Sequence, residues 1–379
     1  MAFISQTSTF YITHRYVFIE AFLVAITLSI VAALAAEETA VVGTAAGSIR
    51  GAVRSAAGGK QVYSFTGIPF AKPPLGELRY RKPQPPTPWG DDVLDATKTP
   101  PSCMQIDVFS ARDLLFVPYG HPKSEDCLFL NVWTPTSNNS TRLPVMAWLH
   151  GGGFRSGSAA MHLDDGGNLA SLGGIIVVTI AYRLQSFGFL YDGTDDAPGN
   201  QGLHDQVLAL KWIQQNIQSF GGDPREVTVF GWSAGGTSIV LHMTSTESKD
   251  LFKRAIIQSG AINNSEETYM KGIGGYEYKK LRQALADTMG DSIVSCGLMD
   301  TARKLAANTD ADKAGKGVYF YEIDHVSRCS NIQPWFGMTH GDDVPLVFGR
   351  PLDAKNGCHG DIPFSKTIIK IWTDFVKGR

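Results

Sequence analysis

The sequence predicts an α/β fold in which a mostly parallel sheet is covered on both faces by helices. Two observations indicate this class. Short β-branched and aromatic runs alternate with longer helical segments, which is typical of a parallel sheet. In addition, glycine-rich segments directly follow two of the apolar runs, as they do at sharp turns that leave a strand.

The bulk composition limits the classes of function. The chain has 379 residues, of which 43% are hydrophobic, so it can bury a large core. Its formal charge is -2, and lysine and arginine are scattered rather than clustered. Nothing therefore indicates nucleic acid or an anionic membrane as a partner. The nine histidines are dispersed, without metal-ligand spacing, so we expect no metal and no other cofactor.

The amino terminus has the pattern of a secretory signal. An apolar run over residues 21–36 follows Arg15, ends in small residues and is succeeded by Glu37 and Glu38. The run is short for a membrane span, which needs about 20 residues. We expect residues 1–36 to be a signal peptide and residues 37–379 to form a single domain that is secreted. An uncleaved signal anchor is the alternative, and an amino-terminal sequence that began upstream of Ile30 would support it.

The first elements of the domain are β-strands. Residues 47–51 and 60–65 flank a small-residue turn at residues 56–59 and predict an N-terminal β-hairpin. Residues 69–88 are proline-rich and predicted to be irregular, because proline donates no ladder hydrogen bond. Strands are then predicted over residues 128–133, 144–149 and 174–182, the last of them buried on both faces.

Helices and strands alternate in the remainder. A helix is predicted over residues 203–217, where Phe220-Gly221-Gly222-Asp223-Pro224 marks its end. A strand over 227–230 leads into a helix over about 234–242. Further strands are predicted over residues 254–258 and 318–323.

Three segments carry the chemistry. Ser233 lies in Gly231-Trp232-Ser233-Ala234-Gly235 after a strand, which is the pattern of a nucleophile elbow. The triplet in His150-Gly151-Gly152-Gly153-Phe154 follows an earlier strand and leaves N–H groups free to face an oxyanion. His340 comes late enough in the chain to serve as the base. Together they predict an ester-cleaving serine hydrolase.

Each of these features has a structural alternative. The glycine triplet could be an ordinary tight turn. The role predicted for His340 has two rivals, His325 and His242, whereas His204 is expected to be structural.

In its motifs the chain resembles the type-B carboxylesterase/cholinesterase family of α/β-hydrolases. The resemblance covers most of the chain from about residue 44. Besides the glycine triplet and the elbow, the matching segments are Gly67-Ile68-Pro69-Phe70-Ala71, Ser124-Glu125-Asp126-Cys127-Leu128, Phe220-Gly221-Gly222-Asp223-Pro224 and Trp335-Phe336-Gly337-Met338-Thr339-His340-Gly341. The order of these segments along the chain makes the resemblance specific.

The resemblance assigns roles residue by residue. It implies that Ser233 is the nucleophile and His340 the base. It implies oxyanion donors at Gly152, Gly153 and Ala234, a disulfide between Cys103 and Cys127, and a buried ion pair between Arg183 and Asp205. In the surface-loop stretch Asn138-Asn139-Ser140-Thr141, both asparagines lie in glycosylation sequons.

The chain departs from the family after Gly260, where relatives have a long helical excursion and a further strand. The resemblance therefore implies an internal deletion that brings Glu266 to the position of the catalytic acid. An acid placed one strand early must reach further, because strands lie about 4.8 Å apart. The sequon at Asn263 also conflicts with a buried acid, so Glu266 and Glu267 could instead be surface carboxylates.

The resemblance also implies an early carboxyl terminus and hence an incomplete fold, as in a splice form or a partial gene product. Cys296, Cys329 and Cys358 are then an odd set, in which one pair can form and at least one thiol is expected to be free or intermolecular.

Two features bear on the substrate. Cholinesterases place a tryptophan between the first two disulfide cysteines and an acidic residue before the nucleophile. Here the segment from Cys103 to Cys127 has no tryptophan, and Trp232 precedes Ser233. We therefore expect a carboxylesterase that acts on uncharged small-molecule esters. The alternative is a catalytically impaired or inactive cholinesterase-like binding or adhesion protein, against which the retained Ser233 and His340 argue.

Overall fold

The computed structural model describes residues 39–106, 121–260, 296–308, 317–327, 338–353 and 358–379. Within these residues the central element is a mixed sheet of nine strands. The predicted signal segment lies outside the described residues. The strand order is β1-β2-β3-β7-β9-β8-β10-β11, with β4 paired to β2. The strands of this sheet are β1 (Thr39–Thr44), β2 (Gly47–Ser55), β3 (Gln61–Pro69), β4 (Gly90–Asp95), β7 (Phe129–Thr134), β8 (Leu143–Leu149), β9 (Ile176–Ile180), β10 (Gly222–Trp232) and β11 (Arg254–Gln258); β5 (Ser102–Cys103) and β6 (Lys123–Ser124) form a separate pair.

Helices connect the strands of the second half of the sheet. The α-helices of the described residues are α1 (Gly167–Gly173), α2 (Gln185–Phe189), α3 (Gln201–Asn216), α4 (Ala234–Thr244), α5 (Cys296–Asn308), α6 (Val344–Val347) and α7 (Ile362–Val376). β9, β8, β10 and β11 pair in parallel, whereas β2, β3, β7 and β9 pair antiparallel. The parallel arrangement therefore holds throughout the half with helical crossovers, whereas the other half is mixed: β2, β3 and β7 are antiparallel neighbours, and β4 pairs with β2 in parallel.

Side chains of the central strands alternate between two apolar cores. On β8, Val145 and Ala147 belong to one core, whereas Met146 and Trp148 belong to the other. This alternation follows from the period of two in a strand. The first core includes apolar residues of α3 and α4, and the second includes those of α1, α6 and α7. The sheet is thus covered on both faces, as the sequence predicts.

The predicted strand over residues 318–323 is wrong. The described residues 317–327 have no regular secondary structure, and the Tyr319 side chain is 76% exposed. The ring of Tyr321 instead packs against Trp372 of α7, with centroids 5.0 Å apart. A β-prone sequence becomes a strand only where it finds a pleated, half-buried surface to pair with. The other predicted strands and helices are present, with ends shifted by a few residues.

Candidate active site

Ser233 occupies the turn between β10 and α4. Its φ of 55° and ψ of -121° place it in a strained region for a residue with a side chain. The turn is held because the Ser233 N–H donates to the Gln258 carbonyl at 2.8 Å and the Thr237 N–H donates to the Ser233 carbonyl at 2.9 Å. Strain retained in this way is common at functional sites, and it matches the predicted nucleophile elbow.

The glycines of the elbow are required by close packing. A Cβ on Gly235 would lie 1.9 Å from the Leu149 carbonyl oxygen, and one on Gly231 would lie 2.7 Å from the same atom. Helix α4 therefore begins directly against the end of β8. This contact brings the elbow beside the glycine segment that follows β8.

The glycine segment that follows β8, Gly151–Gly153, includes backbone N–H groups that the backbone leaves available to a ligand. Gly152 has φ of +114°, and a Cβ there would lie 2.1 Å from the Ser156 carbonyl oxygen. Gly153 has φ of +62°, with no atom within 4 Å of its hypothetical Cβ. In the described part of the chain, neither glycine N–H donates to a backbone carbonyl. Ala234 is the first residue of α4, so its N–H has no acceptor within the helix.

His150 and Gln105 brace the glycine segment, and sequence reasoning assigned neither of them a role. The buried His150 ring stacks on Tyr182 at 4.3 Å between centroids, and its Nδ1 lies 2.9 Å from the Gly151 carbonyl. Desolvation lowers the pKa of His150 to about 4, so the ring is neutral and Nδ1–H donates. The Gln105 side chain binds both the N–H and the carbonyl of Gly157 at 2.9 Å. The only local signal for His150 is its place directly before the triplet.

The structure places His340 beside the elbow. Its ring is exposed and lies 4.9 Å, between centroids, from the ring of Trp232, the residue before Ser233. The turn that carries His340 is closed by Asp342, which accepts from the Thr339 N–H at 2.7 Å. The next residue, Asp343, is buried and accepts from Gln258 Nε2 at 2.7 Å. Burial raises the pKa of Asp343.

The rival histidines are occupied in other interactions. Both ring nitrogens of buried His242 are hydrogen-bonded at 2.8 Å, to Ser248 Oγ and Gln206 Oε1, and desolvation lowers its pKa to about 4. His325 Nε2 lies 3.0 Å from the buried Asp361 carboxylate. His204 Nδ1 contacts Glu247 at 3.0 Å, in keeping with its expected structural role. Of these histidines and His340, His340 is the one in contact with Trp232.

The predicted acid, Glu266, lies outside the described residues, as do Glu267 and the sequon asparagine Asn263. Its role stays a prediction.

Two pairings implied by the resemblance are confirmed. Cys103 and Cys127 form a disulfide. Arg183 binds the Asp205 carboxylate through Nη2 at 2.7 Å, with side chains only 3% and 0% exposed. Cys358 is also disulfide-bonded, as expected if one pair forms among the three remaining cysteines.

Other expectations concern the surface. Asn138 and Asn139 are exposed beside a turn, which agrees with a surface loop, and their glycosylation stays a prediction. None of the helices that the structure describes has the length and apolar character needed to cross a bilayer. No group of three or more potential metal-ligating side chains occurs within the described ranges.

A sheet covered by helices on both faces, with a strained serine in the turn between β10 and α4 beside a glycine loop, is the architecture of an α/β-hydrolase. The carboxylesterase family model matches residues 38–271 and 262–378. The chain therefore belongs to the carboxylesterase family.

Curated relatives agree with this assignment. The chain is 44% identical to acetylcholinesterase-1 of Trittame loki over 303 aligned residues. These residues make up 79% of this chain and 53% of the relative. It is 49% identical to the acetylcholinesterase of Bungarus fasciatus, over 53% of the chain and 34% of the relative. It is 47% identical to the cocaine esterase of Oryctolagus cuniculus, over 54% of the chain and 40% of the relative. The chain thus spans about half, or less, of the length of these relatives.

Proposed function

We propose that the protein is a secreted serine hydrolase that cleaves uncharged carboxylic esters through an acyl-enzyme. The observation that carries this proposal is the strained Ser233 at the junction of β10 and α4, directly beside the Gly151–Gly153 segment, with His340 in contact with the preceding residue, Trp232. Membership of the carboxylesterase family supports the reaction class.

The proposed reaction begins with His340 taking the proton of Ser233 Oγ as this oxygen attacks the ester carbonyl. The oxyanion accepts hydrogen bonds from the N–H groups of Gly152, Gly153 and Ala234. His340 then gives its proton to the departing alkoxide, which leaves as an alcohol. Water, deprotonated by His340, cleaves the acyl-enzyme to release the acid and restore Ser233. Glu266 is proposed to orient His340.

The substrate class follows from the side chains around the elbow. Trp232 is buried and apolar, and it stands where an acidic residue would attract a cationic ester. The proposal therefore favours neutral esters over acetylcholine. The Cys103–Cys127 disulfide supports export, because such bonds persist in oxidising compartments.

Covalent labelling tests the proposed nucleophile. We expect a fluorophosphonate probe to modify the purified protein at Ser233, as located by peptide mass spectrometry, and Ser233→Ala to abolish both labelling and hydrolysis of a neutral aryl ester. Ser245→Ala is the matched control, since Ser245 directly follows the carboxyl end of the same helix, α4, whereas Ser233 precedes its amino end. A folded protein that is neither labelled nor active would contradict the proposal and favour a binding role.

The same assay tests the proposed acid. Without an orienting carboxylate, a triad enzyme loses about 10⁴-fold in turnover. Glu266→Gln activity within a few-fold of the unsubstituted protein would show that Glu266 is not the acid.

A further inference from the structure

Two residues at the ends of adjacent strands contact the turn that carries His340. Trp232 is the last residue of β10 and Gln258 the last of β11, and the parallel register places them directly opposite each other. Trp232 contacts the His340 ring, and Gln258 Nε2 donates to Asp343 Oδ2 at 2.7 Å. One strand end thus holds the beginning of the turn and the neighbouring strand end holds its last residue.

The turn itself behaves as one unit. Asp342 accepts hydrogen bonds from both the N–H and the hydroxyl of Thr339, and the Val344 N–H donates to the Gly341 carbonyl at 3.2 Å. Because the turn is closed internally, two contacts at its ends fix both its position and its rotation. Gln258 also accepts from the Ser233 N–H through its carbonyl, so the same residue touches the elbow and the turn.

Trp232 further links His340 to the glycine segment. Its indole is 5% exposed, and a Cβ on Gly151 would lie 2.4 Å from its Cε3 atom. The indole therefore packs between Gly151 and the imidazole. Its Nε1 is buried and has no hydrogen-bond partner in the described part of the chain, so the side chain acts here through its ring rather than through a hydrogen bond.

We propose that Trp232, Gln258 and Asp343 form a clamp that positions His340 over Ser233. This inference rests on the proposed serine hydrolase function. The three residues are positioning residues: they act through the imidazole and the elbow and do not take part in proton transfer.

Paired substitutions test the clamp at Trp232. A base displaced by about 1 Å can cost about 10²-fold in rate, so we expect Trp232→Leu to lower kcat by about that factor. KM should change little, because substrate binding is not the interaction removed. Trp232→Phe keeps a ring against the imidazole and should recover most of the kcat.

Trp372→Leu is the matched control for folding. Trp372 is also 5% exposed, belongs to the same apolar core and has a buried Nε1 without a partner among the described residues, but it contacts Tyr321. We expect both leucine variants to lower Tm, and only Trp232→Leu to lower kcat. Equal kcat losses in the two leucine variants, or none in Trp232→Leu, would overturn the clamp.

Substitutions of Asp343 separate positioning from charge. Asp343→Asn retains an oxygen that can accept from Gln258 Nε2, so it should keep most of the kcat, whereas Asp343→Leu should lose it. If Asp343→Asn lost as much as Asp343→Leu, the carboxylate charge would be the active property and the clamp would be wrong.

A spectroscopic measurement separates this inference from the proposed function. The indole shifts the NMR resonances of the His340 ring protons through its ring current, and Trp232→Leu should abolish that shift while Trp372→Leu preserves it. An unsubstituted protein without esterase activity would contradict the proposed function, and the NMR shift would then decide whether the clamp exists. An active protein whose Trp232→Leu variant retains both the NMR shift and kcat would contradict the clamp alone.

Discussion

Burial divides the histidines near the elbow into two kinds. His150 and His242 are enclosed, and desolvation lowers the pKa of each to about 4, so they remain neutral and serve as hydrogen-bonding scaffolds. His340 is exposed to solvent, which can stabilise the charged imidazolium that a base forms during turnover. Solvent access therefore favours His340 for proton transfer.

Substitution of His340 tests that distinction. We expect His340→Gln to lower kcat by roughly 10²- to 10⁴-fold, the usual contribution of a general base. His325→Gln is the matched control: it removes a partner of the buried Asp361, so it should lower Tm but leave turnover near that of the unsubstituted protein. Initial rates on a neutral aryl ester, together with thermal melts, measure both effects. The reverse pattern would assign the base to His325.

At the scale of elements, strand β8 is tied to a buried carboxylate. The Trp148 indole donates to Asp164 Oδ2 at 2.7 Å, and the other carboxylate oxygen has no partner among the described residues. Desolvation raises the pKa of Asp164 to about 7. An acid with a raised folded-state pKa contributes stability at low pH and loses it as the pH rises through the window between the unfolded and folded values.

A neutral amide should remove that loss. Between about pH 4 and pH 7, we expect the Tm of Asp164→Asn to rise relative to that of the unsubstituted protein, because the amide oxygen still accepts from Trp148 without the cost of ionisation. Melts of both proteins across this range give the difference, in which the contributions of the buried histidines cancel. A difference that is constant with pH would show that Asp164 does not titrate there.

The sequence predicts the elements well where the local pattern is sufficient. The elbow and the strand Arg254–Gln258 are readable because glycine spacing and β-branched runs are local signals. The contact between Trp232 and His340 joins distant segments, and no local pattern reports it. The strand prediction for residues 318–323 is wrong for the opposite reason. Their β-propensity is strong, but Tyr321 packs on α7 instead of pairing in the sheet.

At the scale of the whole molecule, the disulfide segment connects the N-terminal half of the chain to the site. Cys103 and Cys127 are both buried, and Gln105, two residues beyond Cys103, holds both backbone groups of Gly157. Gly157 in turn packs against the His150 ring, since a Cβ there would lie 2.2 Å from Nδ1. A constraint on the disulfide segment is therefore also a constraint on the segment that carries the proposed oxyanion donors.

Removal of the disulfide should reduce both stability and turnover. The bond joins residues separated by 24 positions, and closing a loop of that length contributes about 3.5 kcal/mol to the free energy of unfolding. We expect Cys103→Ala with Cys127→Ala to lose about that amount in urea denaturation. Alanine avoids placing a polar group where the sulfurs are buried.

The same double substitution should also lower turnover, even at temperatures well below Tm where the protein is folded, because Gln105 no longer holds Gly157 in place. Gln105→Ala, with the disulfide intact, separates the two effects: it should reproduce the fall in turnover with a smaller loss of stability. Full turnover in both variants would show that the glycine segment keeps its geometry without this connection.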